Sequence, residues 1–300
     1  MNKNRKIAYL ALGINAIVWG ASLPLVKLAL DYTSPYQYLF YRYLIVVPLT
    51  FPVLIYLLYK YKPKIKKVFE IILMELVGTT LVLAILYEGL ARTTAIDASL
   101  ISSTAPLFVI LGGILFLKER EEKREWIGVI VALFGTLIII LEPVIQNGGI
   151  FSRSSLFGNG LIFIQTIIWA IYLIIAKKRY KNVPKLLVVT ISFWVGLITF
   201  GVLSFITSDA PILSDLAIPV VRNAALYMAI FGSLIGLTLY LYGQNLIEAS
   251  EAALFSYLQP LIAIPLSIYI LGDNLNILSI IGIVFIVLGV YLAEIRPRRV

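Results

Sequence analysis

Polar and aromatic side chains recur inside the most apolar stretches of this sequence, where groups that hydrogen-bond usually face protein or water. Asn15 and Trp19 are four residues apart in one stretch, and Gln165 and Trp169 repeat the spacing in another. Residues four apart share one face of a helix. An amide can hydrogen-bond a zwitterion and an indole offers a flat apolar wall. Each pair therefore predicts either one wall of a binding site or an interhelical contact with an amide hydrogen bond.

Tyrosine and amide side chains in three other apolar stretches are further candidates for contact with a small molecule. Tyr240 and Gln244 again share a helical face. The whole group comprises Tyr87, Tyr240, Gln244, Tyr257 and Gln259. An aromatic site suits a partly apolar metabolite. The alternative is a tyrosine at the membrane interface, above all for Tyr87 near the end of its stretch.

Glu75 is the most informative carboxylate, because it lies about seven residues into an apolar stretch, roughly 10 Å deep at 1.5 Å per residue. An ionised, unpaired carboxylate at the centre of a bilayer costs about 3 kcal/mol even on insertion scales. The sequence has no histidine, so a carboxylate is the natural carrier for any coupled proton. The alternative is an ion pair with Lys66 or Lys67.

The composition excludes several other chemistries. There is no cysteine and no histidine, which removes thiolate chemistry, disulfides, the usual metal ligand and the usual general base. No GxxxxGK[ST], HExxH or GxSxG motif occurs. We therefore predict no catalytic residues, no metal and no cofactor.

The elements that must hold these residues are membrane helices, because 60% of the 300 residues are hydrophobic, only 14% are charged and mean hydropathy is +0.96. Ten stretches approach the length of a spanning helix. They are 7–30, 38–59, 68–90, 95–117, 126–146, 157–178, 186–207, 220–246, 250–271 and 276–295. The first is too long for a signal-peptide core and is predicted to be retained. The fold class is all-α integral membrane with ten transmembrane helices.

The basic residues predict the orientation. With a cytoplasmic N-terminus, twenty of the 25 Lys and Arg fall on the inner side. The outer side keeps Arg42, Arg92, Arg153 and Arg222, and Lys27 lies within the first helix. This distribution follows the positive-inside rule and places both termini in the cytoplasm. The net charge of +9 then indicates contact with anionic lipid rather than nucleic acid.

An internal repeat divides the chain into halves at 1–150 and 151–300. At a shift of 154, residues 95–117 lie over 249–271, and the matches include Ser102 with Ser256, Pro106 with Pro260, Gly128 with Gly282 and Gly135 with Gly289. At a shift of 150, Asn15, Trp19 and Lys27 meet Gln165, Trp169 and Lys177. Five helices per half is an odd number, so the second half must be inverted. Inverted repeats are typical of secondary transporters, which bind substrate near the midplane between repeats.

Pro106 and Pro260 lie inside predicted helices, where proline removes an N–H and clashes with the preceding turn. Each is expected to free a carbonyl four residues earlier, on Ser102 and Ser256. These weakened points at matching depths could act as hinges, and the exposed carbonyls and the Ser102 hydroxyl could bind substrate. Simple tolerance of proline in a membrane helix is the alternative.

The remaining charged residues favour structural roles. Thr94-x-x-Asp97 is a capping-box pattern, and Glu251 aligns with Asp97. Lys27 is expected to snorkel outward, with capture of a substrate carboxylate as the alternative. Glu88 could pair with Lys27 or Arg92.

The chain resembles EamA-type members of the drug/metabolite transporter superfamily. The residues that carry the resemblance are Trp19-Gly20, Ser34-Pro35 with Arg42, YEGLARTTA at 87–95, Pro106, LKE at 117–119, Gly128, Gly135, YGQNLIEAS at 242–250, Pro260, LGD at 271–273, Gly282 and Gly289. Helix 7 has no counterpart of Arg42, and Asp273 stands where the family often has Glu. The resemblance implies a basket of ten helices around a central cavity lined by helices 1, 3, 4, 6, 8 and 9. It also implies transport of amino acids, related metabolites or drug-like compounds, often outward.

The expected function is secondary active transport of small metabolites, amino acids or related compounds foremost, across the cell membrane by alternating access. The partners are then a small-molecule substrate, the lipid bilayer and, as a coupling ion, protons. A passive channel or a non-transporting scaffold is one alternative. A membrane-embedded enzyme is another, and it would have to use Glu75 and Asp97, which are predicted near opposite faces.

Overall fold

A computed structural model describes residues 3–117, 123–146, 153–207, 211, 213–247, 252 and 254–294, and these residues form helices and no strands. The first half contains α1 (Lys3–Leu30), α2 (Pro35–Tyr61), α3 (Ile65–Glu75), a π-helical segment (Leu76–Leu81), α4 (Val82–Arg92), α5 (Ala95–Ser102), α6 (Ala105–Leu117) and α7 (Lys123–Gln146). The second half contains α8 (Arg153–Arg179), α9 (Lys185–Thr207), a 3₁₀ turn (Ser214–Ala217), α10 (Pro219–Tyr227), a π-helical segment (Met228–Leu237), α11 (Thr238–Leu246), a 3₁₀ turn (Leu254–Leu258), α12 (Gln259–Leu271) and α13 (Ile277–Glu294).

Six of the ten predicted stretches are confirmed as helices long and apolar enough to cross a membrane. They are Asn4–Leu30, Pro35–Tyr61, Ile65–Arg92, Ser155–Arg179, Lys185–Thr207 and Pro219–Leu246. The other four stretches hold shorter apolar helices, namely Ala95–Val109, Trp126–Glu142, Phe255–Leu271 and Ile277–Gly289. The protein is therefore a multi-pass membrane protein, while the count of ten crossings stays a prediction.

The apolar stretch 95–117 holds two helices, because the chain turns at Ser103 and Thr104 between α5 and α6, close to the point where Pro106 was expected to weaken it. The Ser103 hydroxyl donates to the carbonyl of Leu100 (2.7 Å), and the Thr104 hydroxyl donates to the carbonyl of Ile101 (2.6 Å). Pro106 is then the second residue of α6, where its missing N–H has no helical partner to lose.

Pro260 occupies the same place in the second half. It is the second residue of α12 and follows the 3₁₀ turn. Both prolines therefore start a new helix after an interruption, rather than kinking a continuous one. The interruptions lie at repeat-equivalent positions, as the alignment predicted, and their action as hinges stays a prediction.

The two halves meet through antiparallel helix pairs. Gly135 packs against Gly282 and Gly289 packs against the carbonyl of Gly128, so α7 and α13 run in opposite directions. A Cβ on Gly135 would lie 2.7 Å from the Gly282 carbonyl oxygen, which is closer than real Cβ atoms approach. Small residues let helix backbones come this close in a membrane, as expected for the aligned glycines.

The other long helices pair in the same way. α2 runs against α9, α4 against α8, and α1 against α11. Leu12 of α1 lies against Gly243 of α11, and Ile162 of α8 lies against Gly89 of α4. Because the two repeat shifts relate Leu12 to Ile162 and Gly89 to Gly243, these contacts are counterparts.

The π-helical segments at Leu76–Leu81 and Met228–Leu237 are a shared feature that the sequence did not predict. A shift of 154 places the first inside the second, with Gly78 over Gly232. A π turn breaks the regular i→i−4 ladder and is frequent at functional sites. The segments therefore mark equivalent positions in the third helical span of each half.

We expect Gly135→Ala to lower the free energy of unfolding in detergent by about 1–3 kcal/mol, because the added methyl forces α7 and α13 apart. Gly160→Ala is the matched control: nothing lies within 4 Å of its Cβ position, so it should be neutral or slightly stabilising. Thermal unfolding of the purified variants measures both. Equal midpoints would contradict the close crossing.

Candidate functional site

Asn15 and Trp19 are anchored on the second π-helical segment. The Asn15 amide donates to the carbonyl of Gly236 (2.9 Å), and the Trp19 indole N–H donates to the carbonyl of Gly232 (3.0 Å). Both carbonyls lie within Met228–Leu237, where the helical hydrogen-bond ladder is irregular. The interhelical amide contact is thus present, and a role for these two residues in binding substrate stays a prediction.

Four aromatic rings from α1, α8 and α11 contact one another where the halves meet. Trp19 stacks on Tyr240 with ring centroids 5.3 Å apart and meets Trp169 edge to face at 6.0 Å. Trp169 stacks on Tyr172 at 5.3 Å and also contacts Tyr240. We call these four residues the aromatic cluster. The resemblance implied a cavity between these helices, but in this structure the four rings pack against each other.

Gln165 lies one turn from Trp169 on α8 and is buried. Its Oε1 accepts no hydrogen bond from the residues that the structure describes. A buried amide oxygen without a donor is rare, since burial of an unmet polar group is costly. Of the two predicted pairs, Asn15 with Trp19 and Gln165 with Trp169, it is therefore Gln165 that keeps a buried acceptor, Oε1, for a hydrogen bond.

Glu75 is fully buried at the end of α3. Its Oε1 accepts hydrogen bonds from the hydroxyls of Tyr172 (2.8 Å) and Tyr180 (2.7 Å), and the Thr79 hydroxyl lies 3.2 Å from Oε2. The Thr79 hydroxyl is also 2.9 Å from that of Ser192. Neutral groups therefore surround the carboxyl.

The expected alternative, an ion pair between Glu75 and Lys66 or Lys67, is wrong. Lys67 instead bonds Glu70 (3.1 Å) and the carbonyl of Arg179 (3.1 Å), and Lys66 is exposed. No Lys or Arg among the described residues lies within ion-pair distance of Glu75. The first turn of α3 is too far along the helix for its lysines to reach.

A small open pocket lies beside this group, with about 230 Å³ of empty space including its mouth. It is lined by Ala176, Lys177, Tyr180, Lys185, Leu241, Gln244 and Asn245. Tyr180 belongs to both the pocket wall and the Glu75 hydrogen bonds. The Gln244 amide donates to the carbonyl of Leu173 (3.3 Å). Tyr180 therefore lies between the buried carboxyl and a pocket at one end of the bundle.

Arg42 is a buried charged residue that the sequence reasoning assigned only to the outer side. Its Nε donates to the Ser233 hydroxyl (2.5 Å) and its Nη1 to the Tyr87 hydroxyl (3.1 Å), while the guanidinium lies 5.5 Å from the Tyr43 ring centroid. The signal was its position inside the predicted span 38–59, because arginine in an apolar helix is a functional candidate by default.

Lys27 is half-buried near the end of α1, and its expected snorkelling outward stays a prediction. Its ammonium donates to the carbonyls of Leu90 (3.0 Å) and Ala91 (3.1 Å), at the C-terminal end of α4. Lys177, its counterpart in the repeat, donates to the carbonyl of Ile247 (2.7 Å) just after α11. Cations at helix C-termini satisfy orphan carbonyls and complement the helix dipole. The two lysines therefore perform the same task in each half.

Asp97 begins α5 as the capping pattern predicted, since its N–H donates to the Thr94 hydroxyl (3.0 Å). Its carboxylate is nevertheless buried and lies beside Glu142, which accepts from the Asn276 amide. Glu251 and Glu119 lie outside the described residues. The length of α4 and the first π segment separates Asp97 from Glu75, so the pair that an enzyme would need is not brought together.

The other predicted contact residues are distributed over the same helices. Glu88 pairs with Arg92, which was one of its two expected partners. The Ser102 hydroxyl is buried and has no hydrogen-bond partner among the described residues. Tyr257 lies in the 3₁₀ turn before α12, and the Gln259 carbonyl packs against Gly20 of α1. Direct contact of these residues with a substrate stays a prediction.

Antiparallel apolar helices from two halves, closing around buried amide, aromatic and charged groups, define the class of multi-pass membrane transporters. The EamA-like transporter family matches residues 6–141 and again 156–294, and the chain belongs to that family. The resemblance noted in the sequence is thereby confirmed.

Similar proteins agree with this assignment. An uncharacterized transporter of Archaeoglobus fulgidus is 26% identical over 97% of this chain and 98% of its own length. The uncharacterized transporter YyaM of Bacillus subtilis is 27% identical over 97% and 94%. A solved crystal structure covers 97% of this chain and 98% of its own, at a TM-score of 0.69 and 17% identity, which shows the likeness of fold. The chain therefore acts on a small-molecule substrate in a lipid environment.

We expect Tyr180→Phe to lower the free energy of unfolding by about 1–3 kcal/mol, because a buried carboxyl loses one of its donors. Tyr59→Phe is the control, since Tyr59 is 76% exposed and should be within about 0.5 kcal/mol of wild type. Chemical denaturation in detergent compares the two. A Tyr180→Phe protein as stable as Tyr59→Phe would mean that the Glu75 hydrogen bond contributes nothing.

We expect Lys27→Met and Lys177→Met each to destabilise the protein by about 1–2 kcal/mol, because the apolar stem remains while helix-end carbonyls lose their donor. Amide hydrogen exchange should quicken in the last turn of α4 for the first variant and of α11 for the second. Lys66→Met, at an exposed lysine, is the control. Uniform exchange across all three variants would contradict the capping role.

Proposed function

We propose that the chain is a secondary active transporter that exports amino acids or related small metabolites across the cell membrane, with both termini in the cytoplasm. It would work by alternating access, the two five-helix halves rocking about a site between them. Protons are the proposed coupling ion. The observation that carries the proposal is Glu75, a fully buried carboxyl with only neutral partners among the described residues, next to a pocket at the helix ends.

The pairing of the helices supports alternating access. α1 packs against α11 and α12, and α8 packs against α4, α5 and α6, so each half inserts its first long helix into the other half. The symmetric partners α2 with α9 and α7 with α13 lie against each other. An inverted repeat gives this arrangement two equivalent ways to pack, one open to each side of the membrane.

The lysine caps and the interrupted helices support the same mechanism. Lys27 ties α1 to the end of α4, and Lys177 ties α8 to the chain just after α11. The first tie lies at the C-terminal end of α4 and the second lies just after the C-terminal end of α11, and these two helices are counterparts in the two halves. We propose that one tie loosens while the other holds, as the turns before Pro106 and Pro260 absorb the change in backbone angle.

Glu75 suits the coupling role for a physical reason. A carboxyl that is buried among hydroxyls can exist either neutral or ionised, depending on whether a compensating charge is near. Tyr180 separates it from the pocket and from Lys177 and Lys185 at the pocket wall. A shift of that one side chain would connect the carboxyl to the end predicted to be cytoplasmic. The aromatic cluster on its other side would supply the apolar wall for the solute.

We expect wild-type protein in liposomes to accumulate at least one labelled amino acid or related metabolite when a proton gradient is imposed. Glu75→Gln should lose the dependence of uptake on the gradient while solute exchange persists, because a glutamine cannot release a proton. Glu70→Gln is the matched control, five residues earlier on α3 and paired with half-buried Lys67 and exposed Arg179.

Three results would contradict the proposal in different ways. Unchanged proton dependence in Glu75→Gln would remove this residue as the carrier. Flux that never exceeds equilibrium under any gradient would favour the passive channel. No flux across a broad panel of metabolites would remove the transport of this class of solute.

A further inference from the structure

We propose that Arg42, with Tyr87 and Tyr38, forms the site that binds the carboxylate of the transported solute. This inference rests on the proposed function and narrows it to solutes that carry a carboxylate. Neither the capping lysines nor the pocket residues supply such a site, since Lys27 and Lys177 already donate to backbone carbonyls.

The charge of Arg42 has no counter-charge among the residues that the structure describes. The residue is 6% exposed, and a guanidinium remains protonated in proteins. No carboxylate among the described residues lies within ion-pair distance of it. Its neighbours are two neutral hydroxyls and the ring of Tyr43. A buried charge lacking an opposite partner costs several kcal/mol, so an incoming anion would be strongly favoured.

The hydrogen-bonding capacity of the guanidinium is only partly used. It has five N–H donors, and its bonds to Ser233 and Tyr87 occupy one on Nε and one on Nη1. The second Nη1 proton and both Nη2 protons donate to nothing in the part of the chain that the structure describes. Adjacent Nη1 and Nη2 donors match the two oxygens of a carboxylate, which binds such a fork through two parallel hydrogen bonds.

Tyr38 provides a second, independent sign of a missing ligand. It is 0% exposed, and its hydroxyl has no hydrogen-bond partner among the described residues. Its ring lies 5.7 Å from that of Tyr87, whose hydroxyl accepts from Arg42. Buried hydroxyls are normally satisfied. A carboxylate held by Arg42 would give the Tyr38 hydroxyl an acceptor.

The site adjoins the aromatic cluster. Arg42 bonds Ser233, and the neighbouring Gly232 carries the carbonyl that accepts from Trp19. A solute whose carboxylate meets Arg42 can therefore place an apolar group against the indole of Trp19 and the ring of Tyr240.

The repeat relates the Arg42–Ser233 contact to a second contact between the halves. The shift of 150 sets Ser192 over Arg42, and the shift of 154 sets Ser233 over Thr79. Ser192 and Thr79 are hydrogen-bonded, and Thr79 contacts Glu75. Each contact thus joins the second span of one half to the third span of the other, with the Arg42 cation at one contact and the Glu75 carboxyl beside the other. Two uncompensated groups of opposite charge fit the two ends of a zwitterion.

The test uses the purified full-length protein in detergent, with the proteinogenic amino acids and their carboxamides as probes. Each carboxamide keeps the side chain and ammonium and removes only the negative charge. Intrinsic tryptophan fluorescence reports binding, because Trp19 and Trp169 belong to the cluster. At least one acid should bind about tenfold more tightly than its amide, the factor for one charge-assisted hydrogen bond. Inorganic phosphate and chloride are included to detect a site that takes any anion.

Three variants test the assignment. Arg42→Gln should remove the preference for acid over amide. Arg42→Lys keeps the charge but loses the fork, so acid affinity should fall about tenfold. Tyr38→Phe removes a hydroxyl that has no partner in the structure, so the fold should tolerate it while acid affinity falls and amide affinity does not. Arg92→Gln is the control, because Arg92 is already paired with Glu88.

Several outcomes overturn the inference: equal affinity for acid and amide, no binding of any acid, phosphate or chloride binding as tightly as carboxylates, or a normal preference in Arg42→Gln and Tyr38→Phe. If Arg42→Gln does not fold, Arg42→Lys and Tyr38→Phe decide. Failure of the proposed function is distinguishable. If the protein transports solutes that lack a carboxylate, and does so independently of Arg42, the proposed transport function stands and this inference fails. If it binds acids through Arg42 but moves none of the probes, this inference stands and the proposed transport function fails.

Discussion

The structure depends on the requirement that backbone carbonyls inside a bilayer find donors within the protein. Two π-helical segments and two interrupted helices break the regular ladder. At the second π segment α1 supplies donors, and at the turn between α5 and α6 the local hydroxyls of Ser103 and Thr104 do so. Asn15 and Trp19 bond carbonyls of the second π segment, Tyr227 bonds the carbonyl of Val18, and the two capping lysines bond helix ends. Irregular backbone and interhelical contact therefore coincide at the second π segment, where the break in one helix binds two side chains of α1.

The two halves share their packing contacts but differ in their buried charged residues. Counterpart positions carry glycine against leucine or isoleucine, lysine against helix-end carbonyls, and a polar contact between the second span of one half and the third span of the other. The charged residues are not repeated, because Arg42 and Glu75 both belong to the first half and Ser192 stands at the counterpart of Arg42. Two identical halves could exchange shapes but would present the same groups to both ends of a solute. Because the charged residues differ between the halves, the proposed site would hold a solute in one orientation, which two identical halves would not impose.

The sequence was informative wherever the signal was repeated or periodic. The apolar runs, the aligned glycines of α7 and α13 and the Thr94 cap could all be predicted, because they follow from helix geometry and local hydrogen bonding. The π segments could not, since a π turn depends on tertiary partners and leaves no period in the sequence. The partners of Lys27 and Arg42 could not be predicted for a related reason. A charged side chain near a helix end has several ways to be satisfied, and only the position of neighbouring carbonyls and hydroxyls selects among them.

The glycine crossing of α7 and α13 has a consequence for how the chain is made. The partner of α7 is α13, which lies in the second half of the chain, so α7 cannot complete this crossing until the second half has been synthesised. The small residues that α7 presents at the crossing are matched by glycines of α13, which makes the fit of the first half depend on residues translated after it.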